Sequence, residues 1–214
     1  MRAKLGVLLG ISAICCCSAQ QTPKRWAPPN LYVWGDAVPK ATIPREMVTS
    51  LTISGTKIVL EKTSLEKIAK KFGATLGQSG DASTALGWAC LNGTDTNGRF
   101  ALWLESDEMD GPSIGEFDLV RLSASNTLDA RCVNIKGSFN GIQTAPLTLR
   151  LGMEEALIHK ILGKPTETHG NTQLFSHEHN LVLRRNTYTS DNEVLVVLTD
   201  GKVSAIEVSQ LTSD

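Results

Sequence analysis

Two dipeptides, Asn97-Gly98 and Asp200-Gly201, constrain this chain more than any other feature, because each lies between two apolar runs. A type I′ turn needs positive φ at both central residues, and Asn-Gly and Asp-Gly supply it. The twist of that turn matches two antiparallel strands. Residues 86–91 and 99–105 are therefore expected to pair around the first turn, and residues 193–199 and 202–208 around the second. Three further strand signals stand at 117–122, around Cys132, Val133 and Ile135, and at 174–184, the last as one long strand or two short ones.

The chain also repeats. Residues 57–73, KIVLEKTSLEKIAKKFG, align without a gap to residues 147–163, LTLRLGMEEALIHKILG, at an offset of 90. Each stretch begins as a short strand and enters a short helix that stops at a glycine, Gly73 or Gly163. Leu65, Ile68 and Phe72 share one face of the first helix, and Leu157, Ile158, Ile161 and Leu162 line the second. Thr63 and Glu66 have capping-box spacing, and Pro165 prevents the second helix from resuming. The expected fold class is α+β. Two tandem units, each a short helix followed by an antiparallel β-meander, span 51–139 and 140–214.

Residues 1–19 combine Arg2 and Lys4 with the apolar run 5–17 and small residues before Gln20, the pattern of a secretory signal peptide. A lipid anchor on Cys15, Cys16 or Cys17 is the alternative; Ile14 and Cys16, in the positions before Cys15 and Cys17, suit it poorly. Either way the chain is expected to be exported, to a periplasmic or extracellular location, and the mature chain has no second apolar run of membrane-spanning length. Export removes two of the 21 basic residues and none of the 22 acidic ones, so the mature net charge is −3. That balance excludes a strongly basic nucleic-acid binder. Cys90 and Cys132 then enter an oxidising compartment as an even pair, and a disulfide is expected between them. Residues 20–50 form a Pro-rich arm containing Pro23, Pro28, Pro29, Pro39 and Pro44. Trp26, Leu31, Tyr32, Val33 and Trp34 are its expected docking residues.

Catalytic signals are weak. His177 and His179 share one face of a strand and are weak candidates for metal ligands, lacking a defined third ligand. Asp107, Glu108 and Asp110 lack an EF-hand pattern, and Glu116, Asp118 and Asp129 are scattered in sequence. No nucleophile elbow, zincin, P-loop or dinucleotide fingerprint occurs, so neither an enzyme nor a cofactor is expected. In residues 100–105, Phe100, Leu102 and Leu104 take one face, leaving Trp103 and Glu105 on the other as candidate partner contacts. Packing of Trp103 beneath the arm is the competing reading.

Residues 151–165, LGMEEALIHKILGKP, resemble the glycine–methionine helix, ended by Gly-x-Pro, of the β-lactamase-inhibitor-protein-like fold. That fold also includes the small lipoprotein subunit of the outer-membrane barrel-assembly machinery. Residues 57–73 match more weakly, with Lys62 and Thr63 in place of the glycine and methionine. The resemblance implies an exported, non-enzymatic α+β module that contacts an unidentified protein partner. It does not imply β-lactamase inhibition, which uses an aromatic-rich sheet, whereas aromatics are 5% of this chain. A lipid-anchored envelope assembly subunit and a small metal-dependent hydrolase are the alternatives.

Overall fold

The computed structural model describes residues 26–34, 39–80, 85–96, 98–107, 111–122, 131–135, 142–143, 148–183 and 186–213. The expected signal segment, with its three cysteines, and Asn97, Glu108, Asp110 and Asp129 lie outside them. In chain order the elements are β1 (Ser50–Ile53), β2 (Thr56–Val59), α1 (Leu65–Phe72), β3 (Leu76–Ser79), β4 (Leu86–Asp95), β5 (Gly98–Asp107), β6 (Glu116–Arg121), β7 (Val133–Asn134), β8 (Ile142–Gln143), β9 (Thr148–Leu149), α2 (Glu155–Leu162), β10 (Glu167–His169), β11 (Thr172–Leu183), β12 (Asn186–Thr199) and β13 (Lys202–Ser213).

Asp200 and Gly201 take φ of 52° and 72°, the type I′ signature, and connect β12 to β13. β4 and β5 pair from Leu86↔Asp107 to Asp95↔Gly98. α1 ends at Gly73 in the left-handed region, φ 70° and ψ 28°. Its start differs from the expected capping box. Ser64 is the N-cap residue and makes no side-chain cap bond, while the Thr63 hydroxyl accepts from the Val59 amide at 2.9 Å.

The expected pair of tandem helix-plus-meander units is not what forms. The chain is mostly β, built on one nine-stranded sheet in the order β10-β11-β12-β13-β6-β5-β4-β3, with β7 parallel along β4. Among the described residues the helices are two, of eight residues each. The junction is β6 against β13, from Ala205↔Val120 to Ser209↔Glu116. Each of these strands leaves unpaired amides and carbonyls on one edge, and each edge satisfies the other. The helices cannot organise separate layers, because eight residues extend about 12 Å. The eight strands in line extend about 34 Å.

One face of the sheet carries the main core. Leu65 and Ile68 from α1, Ile158 and Leu162 from α2, and Leu51, Ile53 and Ile58 from the β1–β2 hairpin pack against Phe100, Leu102, Leu104, Phe117, Phe175, Val194, Val196 and Ile206. Glycine is required where an aromatic ring lies across the backbone: a Cβ at Gly93 would stand 2.1 Å from the ring of Phe100, its register partner.

The opposite face holds a second, smaller cluster of Trp88, Cys90, Ala101, Trp103 and Cys132. Cys90 and Cys132 form the expected disulfide, with Cα atoms 4.6 Å apart across a sequence separation of 42. The Asn92 side-chain amide donates to the Cys132 carbonyl at 3.2 Å, beside the point where β7 joins β4.

Candidate functional site

Alternation and register together place acidic side chains from five neighbouring strands on this second face. Glu105 of β5 lies opposite Glu116 of β6. Asp118 lies opposite Trp103 on one side and Glu207 of β13 on the other. The row continues through Glu193 on β12, paired with Ser209 and with Ser176 of β11, and Asp191, paired with Glu178. Carboxylate oxygens of Glu105, Glu116 and Asp118 lie within 4.8 Å of one another.

The N-terminal arm runs over this face. Trp26 packs edge-on to Trp88 at 5.8 Å and tilted against Trp103 at 6.5 Å, with the Arg131 guanidinium 4.9 Å from its ring. The Leu31 amide donates to the Glu207 carboxylate. Burial, then the charges of Glu193 and Glu207, raise the Tyr32 phenol pKa. Trp34 meets His169 on β10 at 6.4 Å. The arm then turns over the sheet edge, where the Thr42 and Ile43 amides both donate to the Ser176 carbonyl. Buried Asn192 holds its far end, accepting from the Met47 amide at 2.7 Å and donating to the Val48 carbonyl at 2.6 Å.

Trp103 and Glu105 are therefore covered: 9% and 5% of their surface remain exposed. The packing of Trp103 under the arm is the reading that the geometry matches. His177 and His179 point to the other side of the sheet, in register with buried Asn192 and with Ser190. His177 Nδ1 bonds the Ile43 carbonyl oxygen at 2.7 Å, and His179 lies 3.5 Å from Glu46. Their rings stack at 5.2 Å. Among the described residues no third ligand joins them in a metal-sized group. They clasp the arm.

Burying carboxyls beside one another raises their pKa values, because low dielectric and like charge both oppose ionisation. Burial, then the Glu116 charge, pushes Glu105 up to about 8. Burial, then Glu105 and Glu116, raises Asp118 well above the usual carboxylate range. Glu207 reaches about 9 through burial, then Glu116, Asp118 and Glu193, against the opposing Leu31 amide. Burial is also the leading cause of the upward shifts at Asp191 and Glu193. As an ionised group, Asp118 offers two wholly buried oxygens that meet no donor. As a protonated group it donates to Glu105.

Beside the arm a cavity of about 630 Å³ opens onto this face. Its walls include Glu105, which is buried and marks its inner end, half-buried Glu116, Asp191 and Glu193, exposed Glu178, and Lys40 from the arm. No family model, curated protein or solved structure matches this chain. No helix among the described residues is long and apolar enough to cross a membrane.

The carboxylate group was hidden in the sequence. Glu105 and Glu116 flank residues 106–115, whose Asp110-Gly111 is followed by Pro112 and Ser113 rather than by an apolar run, so it does not announce their pairing as Asp200-Gly201 announces that of β12 and β13. The available signal was the period-two alternation of Trp103-x-Glu105 and Glu116-x-Asp118, which marks one face of each strand but not their partnership.

Proposed function

We propose that this chain is an exported, non-catalytic binding module that receives a basic segment of a protein partner in the carboxylate-lined cavity. The carrying observation is the lining itself: Glu105, Asp107, Glu116, Glu178, Asp191 and Glu193 contribute carboxyl groups, and among the described residues Lys40 is the one lysine or arginine. Such a cavity favours ammonium and guanidinium groups and disfavours anions. The disulfide and the absence of a membrane-crossing helix among the described residues are compatible with an exported chain. The resemblance of residues 151–165 to a protein-contacting family points the same way. The hydrolase alternative loses support because His177 and His179 hold the arm from the other side of the sheet.

Fluorescence anisotropy with a labelled oligolysine peptide tests the reading. Binding is expected at low ionic strength and should weaken as salt rises. Combined Glu178→Gln and Glu193→Gln substitution should weaken it about tenfold, in line with the loss of two charge-assisted contacts. No binding at low salt, or equal binding by the variant, overturns the proposal.

A further inference from the structure

We propose that Glu105, Glu116 and Asp118 form a binding site for a hard divalent cation, Ca²⁺, at the inner end of the cavity beneath the N-terminal arm. Three observations carry it. The oxygens of the three carboxylates come within 4.8 Å of one another, from two strands whose register fixes them there. Opposite ligands of a Ca²⁺ ion stand about 4.6–5.2 Å apart, so one ion can touch all three groups. Second, Asp118 is wholly buried and points into this group, and once ionised neither of its oxygens is matched by a donor, nor is the buried Oε1 of Glu105. Buried polar groups in folded chains are ordinarily satisfied, and a cation satisfies several acceptors at once. Third, Glu105 and Glu116 line the cavity, giving an ion and its remaining waters a path from solvent.

The donor set selects the metal. All three ligands are carboxylates, which suit Ca²⁺ rather than zinc or copper, for which imidazole and thiolate are preferred. The nearest imidazoles on β11, His177 and His179, face the other side of the sheet, and Cys90 and Cys132 are bridged. Three carboxylates supply up to six oxygens if each is bidentate, within the range that Ca²⁺ accepts. Glu207, opposite Asp118, adds a further carboxyl beside the group. The ion takes the place of protons, so binding strengthens as pH rises. Glu105 and Glu116 are shared with the cavity assigned to the basic partner, whereas Asp107, Glu178, Asp191 and Glu193 belong to that cavity alone.

Terbium luminescence reads this site directly. Tb³⁺ is a luminescent surrogate for Ca²⁺, and Trp103 and Trp88 stand opposite Asp118 and Glu105 in register, close enough to sensitise it. The mature, oxidised chain, freed of metal with chelator, is titrated with Tb³⁺ at pH 8 under tryptophan excitation. Saturable emission with one ion per chain is expected, reversed by Ca²⁺ at lower concentration than by Mg²⁺. Asp118→Asn should weaken Tb³⁺ binding at least tenfold. Circular dichroism verifies its fold; if it does not fold, Glu116→Gln at the cavity wall takes its place. Glu178→Gln with Glu193→Gln should bind Tb³⁺ as the unsubstituted chain does, even if oligolysine binding is lost. Absence of sensitised emission, a preference for Mg²⁺, or undiminished binding by a folded inner-site variant overturns the proposal.

Discussion

Raising the pH should destabilise the metal-free chain over a range where most proteins change little. The carboxyl of Glu105 holds its proton to about 8 in the folded chain. Unfolded, it is an ordinary glutamate that ionises near 4.3. Unfolding between those values releases a proton, so stability must fall with rising pH. This contribution is fully present below about pH 4 and is lost as pH climbs through about 8; for Glu207 the loss extends to about 9. Each retained proton is worth about 1.4 kcal/mol per pH unit, so a single proton kept by the Glu105–Asp118 pair costs about 4 kcal/mol between pH 5 and pH 8. Counting the pair as one proton is appropriate because the two carboxyls interact strongly. Urea unfolding followed by tryptophan fluorescence, in chelator at intervals from pH 5 to 9, measures it. Glu105→Gln, which cannot ionise, should flatten the decline and make the variant more stable than the unsubstituted chain at pH 8 by about 2–4 kcal/mol. Flat or rising stability between pH 5 and 8 would refute the reasoning, as would a variant with an unchanged slope.

Other parts of the fold give separate expectations. Replacing Cys90 and Cys132 with serine should cost about 2–4 kcal/mol, since the bridge closes a loop of 42 residues; denaturant midpoints of the oxidised and substituted chains give the difference. Gly93→Ala should lower stability by about 1–3 kcal/mol, because the Phe100 ring must leave its place over the backbone; the melting temperature reports it. Asn192→Ala leaves the Met47 and Val48 backbone groups without partners and should cost about 2–4 kcal/mol. Hydrogen exchange in that variant should be fastest at Met47 and Val48.

Local chemistry was legible in the sequence, and long-range pairing was not. Asp200-Gly201 announced the β12–β13 turn because only a few residue types tolerate positive φ at both positions. Gly73 marked the end of α1 for the same reason. The disulfide was accessible through compartment and cysteine parity rather than spacing. The β6–β13 junction has no local signature: Phe117, Leu119, Ile206 and Val208 alternate as they would in any half-buried strand. Two meanders that look complete in sequence therefore merge into one sheet. The same limit hid the acidic site, since Glu105, Asp118 and Glu207 meet only once three strands take their register. For His177 and His179, alternation indicated a common face but not which face, and the arm that occupies them comes from residues 43–46.

The carboxyls beneath the arm keep their protons or exchange them for a cation. Carboxyl-carbon NMR titration of the mature chain, assigned at Glu105, Asp118 and Glu207, measures that state directly. In chelator, Glu105 should titrate near pH 8 and Glu207 near pH 9, with Asp118 also well above the ordinary range. Saturating Ca²⁺ should move the Glu105 and Asp118 transitions to lower pH. Titration of all three carboxyls below about pH 5, the range of solvated side chains, with no response to Ca²⁺, would contradict the account.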